Sequence, residues 1–464
     1  MTIAEQLACE AKELTFDELP GEVIHQAKRL VLDILGVAFG GYASEPSQVI
    51  QSLVKQVNGP AEATVLVSGL RTSCLYATLA NGAMVRYLDY MHSCYLTKDG
   101  QVLLGHHGES IPPILAVGEW RHKTGRDVIT AIVIAYELLS KVSHSTGGNR
   151  GVLAKRGWAA ETLRTPCVMA LVAGRLLGLT EQQMANALAV AASSNTELGI
   201  LHKAEEHATM ARTLRFPYGA YTGILGALLA GNGFTGPLDV FEGSHGLAEV
   251  VAGGEMDLET LRRPRKDWTI LNTWIKSLAA DGNILGHLEA TLNIINEHDI
   301  KPENVAKVTL RTRPRTYQRV AMHRYPKTKD TADHSCYYTT AIAIFDRGVG
   351  PDQLSDEKLN DPRVRKLADK VVVQPDPKLD ESGAPDITEI TTTNDEKYVR
   401  EVVHPKGHPM NPMSDADVEK KFSSMAEKFM HEKHVRRIID AVYDLEKLDD
   451  VGDLVKLLVV PRQS

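Results

Sequence analysis

Residues 22–42 read EVIHQAKRLVLDILGVAFGGY, directly after Pro20 and Gly21. Val23, Ala27, Leu30 and Ile34 recur at helical spacing, which gives one continuous apolar face. Pro20 stands before the run and Gly40–Gly41 closes it, the punctuation that bounds a helix. The same texture extends outward through roughly the first 260 residues. Residues 166–177, PCVMALVAGRLL, are small and apolar on several faces and suit the interior of a helix bundle. Thr180 with Gln183 three residues on is a capping-box pattern that opens a further helix. Residues 128–139, VITAIVIAYELL, are too short to span a bilayer and read as a buried helix.

The texture changes at residues 260–268, TLRRPRKDW. Arg262, Arg263, Arg265 and Lys266 around Pro264 read as a solvated linker rather than an anion patch, because short charge runs are usually solvated. Strand signals follow for the first time: VAKVTLRT (305–312), KVVVQ (370–374) and ITEITTT (387–393). Helical stretches near 283–297 and 336–346 lie between them. After HPKGHPMNPMS (404–414) the helical texture returns, with Ser414 and Asp417 as its cap. The expected fold is mainly α with a smaller α+β domain. Residues 1–265 form a large helical domain, 266–403 the smaller lid-like domain, and 404–464 return to the first.

The 464 residues carry a net charge of −7, with 43% hydrophobic and 24% charged residues. A nucleic-acid partner is not expected from that balance. Five cysteines without a CxxC pair argue against a disulfide framework or a zinc ribbon and point to a reducing compartment. The N-terminus MTIAEQLACEAKEL lacks a secretory pattern, so a soluble, cytoplasmic protein is expected. No GxSxG, P-loop or dinucleotide fingerprint stands in its required context. Gly348-Val349-Gly350 runs into Pro351 and suits a turn. His431 and His434 are one residue too close for a zincin pair, so a solvated helix face is expected there. These absences leave acid–base work by side chains.

Six strings together resemble the MmgE/PrpD family. They are LANGAMVRYLDYMHS (79–93), GHHGESIPPILAVGE (105–119), RLLGLTEQQMANALAVA (175–191) with GNGFTGP (231–237), TWIKSLAADG (273–282), TADHSCYYTTAIAIFDRG (331–348) and GHPMNPMSDADVEKKF (407–422). Each is weak alone; their order over some 400 residues carries the likeness. The resemblance implies an active site between a large helical and a smaller domain, commonly in a homodimer. It implies chemistry on small polycarboxylates without a metal or organic cofactor. Relatives of that family dehydrate 2-methylcitrate in propionate metabolism, decarboxylate cis-aconitate or epimerise iminodisuccinate.

Site candidates follow from the same strings. Asp89 resembles the first acid of the family's LDxDD group; read by itself it is a helix-end carboxylate bonded to nearby backbone. The acids that follow in the family are replaced by Tyr90, Met91, His92 and Ser93. His106 resembles the family's histidine and suits proton transfer near neutral pH, oriented by Asp89; His107 is the lesser candidate. Lys276 is expected to hold a substrate carboxylate, though it also suits a snorkelling lysine. Arg212, with Arg215 as its alternative, is a second expected carboxylate holder. Tyr338 is either a phenolic donor or a core aromatic, and Asp333 and His334 read as helix caps. In Arg156-Gly157-Trp158-Ala159-Ala160-Glu161, alanines stand where relatives carry an aspartate and a histidine, with Glu161 as a substitute. The expected activity is a cofactor-independent hydro-lyase on a hydroxylated polycarboxylate such as 2-methylcitrate or citrate. The alternatives are a decarboxylase or epimerase on the same scaffold, or a noncatalytic polycarboxylate-binding relative.

Overall fold

The structure is a computed structural model that describes residues 1–57, 59–98, 101–148, 151–159, 161–194, 197–202, 209–264, 267–379 and 383–460. The opening helix spans Gly21–Gly41, and Val23, Ala27, Leu30 and Ile34 are all fully buried along it. Its end is fixed by close approach: a Cβ on Gly41 would stand 2.0 Å from the Met84 carbonyl oxygen of helix Cys74–Tyr87. Helix Glu181–Ser193 starts in the Thr180–Gln183 capping box. Helices Glu161–Leu176, Glu181–Ser193 and Arg215–Gly231 pack on one another. Small residues set their spacing, since a Cβ on Gly223 would lie 2.7 Å from the Pro166 carbonyl oxygen.

The apolar stretch at 128–139 belongs to a longer helix, Gly125–Thr146, of 22 residues. Thr124 and Asp127 extend it at the N-terminal side with a capping box. By length and composition alone this helix could cross a membrane. However, 89% of its most apolar window is buried against the rest of the chain, which makes it a core helix.

The first part of the chain is not wholly helical, contrary to the sequence reading. Strands β1 (Ala63–Val65) and β2 (Leu70–Thr72) pair antiparallel. Strands β3 (Ser93–Lys98) and β4 (Gln101–Gly105) form a second antiparallel pair. Strands of three to six residues span too few periods for alternation to stand out from helical surroundings. Strand β5 (Thr273–Trp274) joins β3 through the pair Ser93–Trp274, giving the order β4-β3-β5. This small sheet positions the site. Asp89 precedes β3, His106 follows β4, and Lys276 lies two residues beyond β5.

The larger sheet holds β6 (Val305–Thr312), β7 (Val371–Pro375), β8 (Asp386–Thr392) and β9 (Lys397–Val402) in the order β7-β6-β8-β9. β6 and β7 are parallel, and the other pairs are antiparallel. Helix Leu285–Glu297 covers β8 and β9, and helix Cys336–Asp346 packs against it. The C-terminal helix Asp415–Ala426, capped by Ser414 and Asp417, lies on Gly21–Gly41. There the rings of Phe39 and Phe422 meet edge to face at 6.1 Å.

Candidate functional site

Helix Cys74–Tyr87 ends two residues before Asp89, whose backbone turns left-handed (φ 41°). Aspartate tolerates that conformation better than most residues. The turn sends the carboxylate inward against two cations. Lys276 Nζ lies 3.3 Å and Arg86 Nη1 3.4 Å from its oxygens. Burial opposes ionisation of Asp89, but Lys276 and Arg86 outweigh it and hold the carboxyl well below the usual range. Lys276 Nζ also donates to the carbonyl oxygens of Asp89 at 2.7 Å and Ala280 at 3.1 Å. Arg86 reaches Glu109 at 3.1 Å as well.

A second lysine fixes the loops that carry these groups. Lys421 Nζ donates to the carbonyl oxygens of Tyr90 and Lys276, both at 2.8 Å. It pairs with Asp33 at 2.6 Å, and Asp33 in turn holds His92 Nδ1 at 2.7 Å. Helix Asp415–Ala426 therefore ties together the neighbours of Asp89 and the backbone of Lys276.

His106 opens the 3-10 turn His107–Ser110 after β4. Its Nδ1 is buried and makes no hydrogen bond among the described residues. Burial first, then Arg86, push its pKa well below the ordinary histidine value; Asp89 acts the other way. The ring is therefore uncharged at neutral pH. His107 is committed elsewhere, with Nε2 3.0 Å from Ser140 Oγ.

Arg212 reaches the same region from the 3-10 turn Met210–Leu214. Its guanidinium lies 3.2 Å from His334 Nε2 and 3.6 Å from Asp330. His334 does not cap a helix, as the sequence reading had it. Ser335 is the cap of Cys336–Asp346, its hydroxyl accepting from the Tyr338 N–H. His334 is buried, its Nδ1 bonded to Asp333 and its Nε2 3.3 Å from Asp281 Oδ2. Asp281 also faces Arg319 at 2.7 Å. Polar atoms of Asp89, Asp281 and His334 all lie within 4.8 Å of one another. A divalent ion could use such spacing. However, Lys276, Arg319 and Arg212 already stand against these three groups and balance their charge.

Tyr338 falls apart from this group. Its hydroxyl donates to the Gln353 carbonyl oxygen at 2.5 Å inside the smaller part, and the ring is buried. That is the core-aromatic alternative, and the physical reason is direction: Tyr338 lies one helical turn beyond Ser335 and points into the core. Arg215, the alternative to Arg212 as a carboxylate holder, pairs with Glu161 at 2.6 Å, and Glu161, the substitute for the missing aspartate and histidine, also holds Arg164 at 2.7 Å, so both are engaged in ion pairs. Beside them burial, then Glu161, push the Glu197 carboxyl up to about 9. Ala159 is fully buried; Ala160 lies outside the described residues, as do Arg265 and Lys266 of the linker. His431 is a helix N-cap and His434 Nε2 lies 2.7 Å from the Leu457 carbonyl oxygen, so the two do not form a paired site.

The sequence reading missed Arg86, Glu109, Asp281 and Lys421. Arg86 carried a signal, being the one cation in an apolar helix segment and three residues before Asp89. Asp281 and Lys421 lie inside two of the quoted strings, but nothing there singled them out, because only the folding of distant segments gives them partners.

Fold and site together define a mainly helical protein with a smaller α+β part and a buried cluster of acids, imidazoles and cations on the loops around a three-stranded sheet. Residues 5–259 match the MmgE/PrpD N-terminal domain and residues 279–447 the MmgE/PrpD C-terminal domain. The chain belongs to the MmgE/PrpD family. It is 24% identical to cis-aconitate decarboxylase of Aspergillus terreus over 98% of this chain and 95% of that protein. The human cis-aconitate decarboxylase is 24% identical over 99% of this chain and 95% of its own length. The 2-methylcitrate dehydratase of Salmonella typhimurium is 22% identical over 64% of this chain and 62% of that one. These relatives are enzymes of decarboxylation and dehydration.

Proposed function

We propose that this chain is a lyase acting on a small polycarboxylate, and that the bond it breaks is a carbon–carboxylate bond in a substrate of the cis-aconitate type. The observation that carries the reading is the half-buried His106, its Nδ1 enclosed without a partner among the described residues, beside a carboxylate, Asp89, that is held by Lys276 and Arg86. Such chemistry leaves an electron pair on carbon beside a carboxylate. Fixed cations in a site shielded from water stabilise that pair, and Lys276, Arg86 and Arg212 are the cations assigned to it. His106, oriented through Asp89, is assigned proton uptake in dehydration and placement of the reacting carbon in decarboxylation. Likeness to decarboxylases along nearly the whole chain favours carbon dioxide as the leaving group. A second reading, dehydration of 2-methylcitrate or citrate, draws on the shorter likeness to dehydratases. A homodimer, implied by the family resemblance, belongs to the same proposal, as does a cytoplasmic location; light scattering reads the assembly.

The test is proton NMR of the chelator-treated protein with cis-aconitate, 2-methylcitrate and citrate in separate samples. Decarboxylation predicts loss of cis-aconitate with release of carbon dioxide. An alkene formed from 2-methylcitrate instead selects the second reading. No turnover of any of the three by folded protein rules out both.

A further inference from the structure

An uncharged imidazole takes a proton, yet both readings above also consume one. Decarboxylation needs a proton for the carbon chain after carbon dioxide leaves, and dehydration needs one for the departing hydroxyl. His106 is poorly placed to give it, because Arg86 and Lys276 oppose its charging.

We propose that His334, held by Asp333, is the proton donor of this site. Three features of its setting carry the inference. Asp333 bonds Nδ1, so the ring is fixed and Nε2 is the working nitrogen. Lys329 in turn pairs with Asp333 at 2.9 Å. Nε2 then faces two partners of opposite kind. Arg212 Nη2 at 3.2 Å can donate to it when the ring is neutral, and Asp281 Oδ2, 3.3 Å away, stands within ion-pair distance of the ring when it is charged. A buried polar group without a partner costs about 1–3 kcal/mol, and a charged one more. A histidine that only supports structure needs one protonation state satisfied. Here each state faces a group of suitable kind, a donor for the neutral ring and a carboxylate for the charged one, as repeated proton transfer demands. Finally, Asp89, and through it Lys276, lies beside this nitrogen, since polar atoms of Asp89, Asp281 and His334 are within 4.8 Å of one another. The proton is therefore delivered where the carboxylate-holding groups converge.

The step balances as follows for decarboxylation, on which reading it rests for its substrate. The carbon–carboxylate bond breaks and its electron pair passes into the conjugated carbon chain as carbon dioxide departs. That chain takes the proton from Nε2. His334 is left neutral, accepts from Arg212, and regains its proton from solvent. Arg319, paired with Asp281, keeps that acid ionised beside Nε2.

Two measurements decide the point. In the first, kcat and KM of His334→Asn are followed across pH with cis-aconitate. Loss of a proton-transfer group is worth about 10²–10⁴-fold. A kcat fall of at least ~100-fold with KM little changed, and loss of the wild-type decline of kcat at high pH, is expected. Asp333→Asn, which removes a positioning residue, should shift that decline without abolishing turnover. An active His334→Asn enzyme that keeps the high-pH decline overturns the proposal. The second measurement does not depend on turnover or on a variant folding. The imidazole nitrogens of the wild-type protein are followed by 15N NMR as tricarballylate, a saturated tricarboxylate, is added. A shift of the His334 Nε2 resonance is expected. An unmoved resonance overturns the proposal. If the wild type turns over none of the three polycarboxylates, the lyase reading fails by itself, and the NMR result alone decides for or against His334.

Discussion

The charges at the site are interlocked residue by residue, and their removal has a definite sign. Asp33 is wholly buried between Lys421 and His92. Burial opposes its ionisation, but Lys421 and then His92 bring its pKa down to about 2. A carboxyl lowered on folding stabilises the protein fully above its unfolded value of about 3.9 and loses that contribution as pH falls through the folded value. Acid unfolding of the wild type should therefore draw on Asp33 between about pH 4 and pH 2. Asp33→Asn should abolish that part of the acid transition while lowering stability at pH 7. Breaking one side of a buried ion pair typically costs about 3–5 kcal/mol, and urea unfolding at the two pH values reads both effects. Among the site residues, sequence reading picked out Asp89, His106 and Lys276, and the structure places Asp89 against Lys276. Sequence reading failed where the partner is supplied by distant chain: Lys421 looked like any lysine of a capped helix, and His334 like part of a cap.

Among the elements, helices were more legible than strands. Val23, Ala27, Leu30 and Ile34 repeat over 21 residues of helix Gly21–Gly41, whereas β1 and β2 have three residues each. The sheet that positions the site is built from such short pieces. Its third strand, β5, comes from a segment some 170 residues after β4, a pairing that local pattern does not encode. Helix-to-helix distance is set by glycine where the Gly21–Gly41 helix meets Cys74–Tyr87. Gly41→Ala forces a methyl against the Met84 carbonyl. The expected loss is about 1–3 kcal/mol, the usual cost of overpacking, with a lower Tm by calorimetry. Ser414→Ala removes the cap of helix Asp415–Ala426 and should cost about 1 kcal/mol. A change in Tm of the same sign but smaller size is expected, with turnover unaffected while Lys421 stays in place.

At the scale of the whole molecule, the proposed active centre is assembled from distant segments of the chain rather than from one of them. Asp89 and His106 come from the first hundred residues or so, Lys276 and His334 from the smaller part, and Lys421 from the tail. The family string GHPMNPMSDADVEKKF, which drew attention as a motif, thus matters through its lysine. Lys421→Met should leave a folded protein of lower stability whose turnover falls mainly through kcat, because the Tyr90 and Lys276 backbones lose their common tie. Steady-state kinetics beside a melting curve separates the two effects. Chelator treatment should leave turnover unchanged, since side-chain cations already balance the Asp89, Asp281 and His334 cluster.

The most direct test of the proposed chemistry is turnover of cis-aconitate by wild type and His106→Ala, followed by proton NMR at pH 7 with circular dichroism on both proteins. The expected result is turnover by the wild type and a fall of at least ~100-fold in the variant, with the fold intact. A folded His106→Ala protein that turns over cis-aconitate at the wild-type rate would contradict the role assigned to His106 and, with it, the proton-transfer centre proposed around Asp89 and Lys276.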